Sequence, residues 1–162
     1  MKGASVVLTR VSSSAGFDDA TVAYAAGAQR VFQQLQDAAS RLAAVLLAMS
    51  FEGSRSALDH AARLAAVAQI AEGRDLLLGL ISTQRTAHFH LHMTGGLEHL
   101  TQTARAIDGT LSGHSAALDP LPLLKAAWKE LEAASRCLPG FEVVDFSHSC
   151  CANHTAVIVS NT

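Results

Sequence analysis

The sequence predicts a mainly α fold, an antiparallel bundle of about four helices with a small C-terminal β-hairpin. Three observations carry this expectation. Apolar residues recur at alternating three- and four-residue gaps in three separate segments, the spacing that keeps one helix face apolar along its length. Helix-start and helix-stop residues punctuate those segments. Only the end of the chain, past Pro139-Gly140, is rich in short β-branched and aromatic runs.

Taken in order, residues 1–16 form a Ser/Gly-rich arm whose residues 4–11 can make a short strand. The first helix is expected from near Asp18, an N-cap residue type, to about Ser50. Val31, Leu35, Ala38, Leu42, Val45 and Met49 mark its apolar stripe, and Arg30, Gln34, Asp37 and Arg41 its wet side. Phe51-Glu52-Gly53-Ser54 reads as a turn. A second helix is expected from Ser54 or Ser56 to about Met93, with Gly73 as a kink. Between Arg63 and Glu72 its only polar side chain is Gln69, and the residues from Leu76 to Ile81 are again nearly all apolar.

Thr94-Gly95-Gly96 is the expected break, followed by a third helix on Leu97, Leu100, Ala104, Ile107 and Leu111. Met93 keeps the phase of that third stripe, so one kinked rod through the glycines is the alternative. Asp119-Pro120 opens the fourth helix, a cap residue followed by proline at the first helical position. That helix is expected to bury Leu124, Trp128 and Leu131 and to expose Lys125, Lys129, Glu132 and Arg136. The tail strands, residues 141–146 and 156–159, would pair around residues 147–155 and pack on the bundle, since an isolated hairpin is marginal in water. The organisation is thus an arm over 1–16, a bundle over 17–138 and a β-capable tail over 139–162.

Composition narrows the function. The 162 residues suit one domain, 49% of them are hydrophobic and 16% charged, so helix surfaces must be extensively covered. The long apolar surfaces of the first two helices therefore predict a homodimer, with a different protein as a further possible partner. Twelve basic against fourteen acidic residues, without a basic block, argue against nucleic acid. No uncharged apolar stretch approaches the ~18 residues of a membrane span, and the N-terminal apolar run is cut by Arg10, so a cytoplasmic location with reduced cysteines is expected. Arginine in excess of lysine and abundant alanine point to a GC-rich bacterial genome.

Two polar clusters can carry chemistry. His88 and His92 are four apart on one helix face, a spacing that lets two imidazoles grip one ion. His99 joins them either along a continuous helix or by folding back, with Glu98 beside it and His90 on the opposite side. In the tail, Cys151 and His154 have chelating spacing, as do His148 and Cys151. Imidazole and thiolate together favour zinc or copper. The competing expectation is solvated histidines and a cysteine buried for packing alone.

A third feature is Asp59-His60-Ala61-Ala62-Arg63, a helical histidine followed three residues later by a basic one. It resembles the acceptor of histidine phosphotransfer domains over this handful of residues, with Arg63-Leu64 where that family has Lys-Gly. The resemblance implies His60 as a phosphate acceptor in a signalling bundle. Phosphate-binding glycine loops, a Ser-His-Asp pattern and the repeated Glu-x-x-His of di-iron bundles are all missing from the sequence. Enzyme activity has little support. The expected function is a binding or regulatory module that responds to a metal or ligand, with a structural or adaptor dimer as the alternative.

Overall fold

The computed structural model describes residues 19–51, 60–114 and 118–137. Within them lie four helices, α1 (Asp19–Ser50), α2 (His60–Leu78), α3 (Ala87–Leu111) and α4 (Pro120–Cys137). Helix accounts for 87% of the described residues, and no strand occurs among them. The N-terminal arm, the caps Ser54 and Ser56, and the whole C-terminal hairpin lie outside the described residues.

The helices form two pairs, α1 with α2 and α3 with α4, which share one hydrophobic core. α1 also touches α3 and α4, and α2 touches α3. The α1 stripe read from the sequence is the spine of that core. Val31, Leu35, Ala38 and Leu42 are fully buried and Val45 nearly so. Each leucine or valine taken out of water here contributes about 1.5–3 kcal/mol. The first expected dimer surface is thus covered by the chain's own helices.

α2 does not reach Met93. It ends at Leu78, and a connection intervenes before α3 starts at Ala87. Gly79 N–H donates to the carbonyls of Asp75 and Leu76, and Leu80 N–H to Leu77, which tightens the last turn. Leu80 then packs back on α1, where a Cβ at Gly27 would fall 2.6 Å from its Cδ2. Buried Thr86 closes the connection, because its Oγ1 accepts from Thr83 N–H at 2.8 Å. Gly79, Ser82 and Thr83 are poor helix formers, so the helix stops and Leu80 anchors the connection on the core, while Leu78 and Ile81 stay exposed.

Nor do Gly95 and Gly96 break anything. They lie inside α3, where α4 comes close. A Cβ on Gly95 would stand 3.2 Å from the Glu130 carboxyl, and one on Gly96 3.3 Å from Leu131 Cδ2. Their lack of side chains lets α4 approach α3 this closely. Gly73 does the same between α2 and α1, where a Cβ would meet Leu35 Cδ2 at 3.1 Å. The phase that Met93 keeps is therefore the phase of a single helix, and Met93, Leu97, Leu100 and Ile107 all lie in the core.

α3 ends in a Schellman arrangement. Gly113 adopts φ +72, which a side chain disfavours, and the N–H groups of His114 and Gly113 reach the carbonyls of Gly109 and Thr110. α4 begins as its sequence indicates, with Asp119 Oδ1 accepting from Leu121 N–H at 3.0 Å. Leu124 and Leu131 are buried, Trp128 packs half-buried on the core, and Lys125, Lys129, Glu132 and Arg136 face water. No helix of the described residues is long and apolar enough to cross a membrane.

Candidate functional site

Because α3 is continuous, its histidines occupy fixed depths along one rod. His88 and His92 share a face one turn apart, with His88 exposed and His92 half-buried. His99 lies on nearly the same face, but eleven residues past His88 along a helix rising 1.5 Å per residue is about 16 Å. The structure therefore brings His88 and His92 together and keeps His99 away from them. Cys151 and His154, with His148 and Cys150, lie outside the described residues. Among the described residues no group of three or more His, Cys, Asp or Glu side chains is placed to hold an ion. Cys137, the cysteine that is described, points its Sγ at Ala133 O within α4.

Two of the histidines are held by side chains of other helices. His92 Nδ1 lies 2.7 Å from Glu130 Oε2 on α4. The carboxylate accepts from Nδ1–H, which fixes the ring and leaves the Nε2 lone pair available, the usual outer support of a metal-binding imidazole. Gly95 makes room for this Glu130 side chain. His90 Nδ1 lies 2.9 Å from the Tyr24 hydroxyl on α1. Burial pushes the Tyr24 phenol up to about 12, so the hydroxyl keeps its proton, and the His90 tautomer sets which of the two atoms donates. His99 is half-buried, and its Nδ1 is shut from solvent without a hydrogen-bond partner. His60, the phosphotransfer-like residue, is exposed at the first position of α2.

Glu130 and Tyr24 were not legible as partners in the sequence. Their pairing depends on the register between helices, and the residue spacing within one helix does not encode that register. The only hint is Gly95, whose missing side chain marks a close approach.

A second polar region runs between α2 and α3. A surface groove of about 220 Å³ has Val67, Ile70, Ala71 and Ala104 as its apolar floor. Arg74, Thr101, Arg105 and Asp108 form its rim. At one end Arg63 pairs with Asp108, and at the other Arg74 donates to Thr101 Oγ1 at 3.0 Å. A neighbouring groove of about 250 Å³ is bounded by Gln102, Arg105, Ala106 and Leu118, so Arg105 stands on the ridge between the two. Neither groove encloses a small molecule, and neither contains an aligned nucleophile and base. No family model, curated protein or solved structure matches the chain.

Proposed function

We propose that the chain is a helical binding module that works as a homodimer and presents its surfaces to partners in a regulatory role. One observation carries this reading: α2 buries only Ala66, Ile70, Gly73 and Leu77, and leaves an apolar outer face that no other described residue covers. Leu64 is 58% exposed, Leu78 79%, and Ile81 just beyond the helix 88%. Apolar residues gathered on one exposed helix in this way mark an interaction surface more often than chance exposure does. The chain's low charge content points the same way.

Light scattering is expected to give twice the chain mass at micromolar concentration for the unmodified protein. The double variant Leu64→Glu/Leu78→Glu should give the single-chain mass with an unchanged helical spectrum, because both side chains already face water. A monomeric parent protein, or an unaffected dimer in the variant, rules the face out.

The second reading is a divalent-metal response at His88 and His92. It is favoured by the Glu130 carboxylate on His92 Nδ1, which orients the free Nε2 toward a ligand. His88 supplies the second imidazole, and zinc or copper fits this donor type. The remaining ligands would come from outside this pair, with Cys151 and His154 as the sequence candidates. Isothermal titration with zinc or copper should show binding that His88→Ala/His92→Ala abolishes. Glu130→Gln should weaken it about 10- to 100-fold, the range for loss of an outer-shell partner. Weak binding of equal strength by parent and double variant leaves the histidines with a packing role alone.

A further inference from the structure

We infer that the groove between α2 and α3 docks an acidic amphipathic helix of a partner protein. The groove joins an apolar floor, formed by Val67, Ile70 and Ala71 from α2 and Ala104 from α3, to a basic rim. Arg63 is matched by Asp108, but Arg74 meets only the neutral Thr101 hydroxyl, and Arg105 has neither an acidic nor a hydrogen-bonding partner among the described residues. Glu98, the other carboxylate on this part of α3, accepts from Gln102. Neither guanidinium therefore takes part in an ion pair among the described residues, and both stand beside exposed apolar surface. Val67 is 39% exposed on one side of the ridge, and Leu118 is 66% exposed on the other.

This combination selects the occupant. An apolar helix face needs a trough between two helices, read by residues at successive turns, and the groove supplies one along about two turns of α2 and α3. Carboxylates flanking that face would meet the Arg74 and Arg105 guanidiniums, whose planar donor forks suit bidentate contact. At about 220 Å³ and open to solvent, the groove is smaller than the clefts of about 300–1,000 Å³ that enclose small ligands. A second copy of this chain using the same face would oppose Arg74 and Arg105 to themselves across a two-fold axis, which like-charge repulsion disfavours. Leu64 and Leu78 do not line the groove, but Ala71, seven residues from each, shares their side of α2, so a dimer on that face and a helix in the groove would compete.

The test uses the full chain and two fluorescein-labelled helical peptides. Both carry leucines at i, i+3, i+4 and i+7. One has glutamate at the flanking positions and the other lysine. The glutamate peptide should bind, and its affinity should fall as salt screens the charges. Arg74→Glu/Arg105→Glu should weaken it at least about tenfold, in line with the loss of close charge pairs at an interface. Ala71→Trp, which fills the trough from an exposed position without altering charge, should weaken it too. Equal binding of both peptides overturns the inference, as does unchanged affinity in both variants or no glutamate-peptide binding up to millimolar concentration. A change of oligomeric state in Arg74→Glu/Arg105→Glu also overturns it, because the face would then belong to a second copy. Leu64→Glu/Leu78→Glu should retain the peptide, which separates failure of this site from failure of the dimer face.

Discussion

Leu42→Glu should leave the chain unfolded at 25 °C. Leu42 is fully buried in the middle of the α1 stripe, with Ala38, Ala39 and Val45 beside it in the same core. The substitution removes an apolar side chain worth about 1.5–3 kcal/mol of burial. It also places a carboxylate where no basic group is within the core to pair with it. An unpaired buried charge costs several kcal/mol more even after the group protonates or the surroundings relax. The sum is comparable to the whole folding free energy of a domain, about 5–15 kcal/mol. Far-ultraviolet circular dichroism should show the helical signal lost, with no cooperative transition on heating. If the variant instead stayed folded as a monomer with the parent melting temperature, Leu42 would lie between two copies and the intramolecular core would be wrong. Leu64→Glu is the matched control, since that leucine is 58% exposed and should tolerate charge.

The contrast between these leucines shows what the sequence could and could not reveal. Both belong to apolar runs, and both invite a partner. The period of the α1 stripe says that Leu42 faces something, but not whether that surface belongs to the same chain. Only the packed structure assigns it to the shared core, while Leu64 remains uncovered. The Asp119-Pro120 start and the Leu124–Leu131 face of α4 were readable because they are local, set by capping chemistry and by spacing within one helix. The glycines were not. A glycine can mark a break, a kink or a close approach, and the difference lies in what stands opposite it. Gly95 and Gly96 face Glu130 and Leu131, so they sit inside a helix, whereas Gly79 does mark a helix end.

The same limit governs the candidate site. The spacing of His88 and His92 on one face follows from helix geometry alone. The separation of His99 followed only once α3 was seen to be continuous. The Glu130 carboxylate that orients His92, and the Tyr24 hydroxyl that holds His90, come from other helices and depend on their relative register. For Arg74, Arg105 and the α2–α3 groove, the sequence showed scattered charges. Juxtaposition across two helices is what turns them into a surface.

Phe89→Ala should cost about 3–5 kcal/mol, the usual range for truncating a fully buried aromatic ring. Phe89 is completely inaccessible and lies two residues from the start of α3. Its ring meets Tyr24 edge-on, with centroids 6.1 Å apart and planes at 89°, and meets Phe32 at 6.3 Å. Edge-to-face geometry places the positive ring edge on the negative face of its neighbour and adds about 0.5–1.5 kcal/mol to simple burial. Tyr24 and Phe32 both belong to α1, so this cluster joins α1 to the start of α3, next to the connection that leaves α2. Removing the ring opens a cavity that rigid helices on both sides cannot close, and it frees Tyr24 to drift from His90. Trp128, the single tryptophan, packs on the core from α4 and gives a fluorescence readout of unfolding. In urea titrations followed at Trp128, Phe89→Ala should lower the midpoint with the slope preserved, because the surface exposed on unfolding is nearly the same. Phe89→Leu should lose markedly less, since leucine refills most of the cavity. A loss below about 1 kcal/mol for the alanine variant, well under the range for buried aromatics, would mean that the ring is not enclosed between α1 and α3, and the placement of the α3 start against Tyr24 would have to be abandoned.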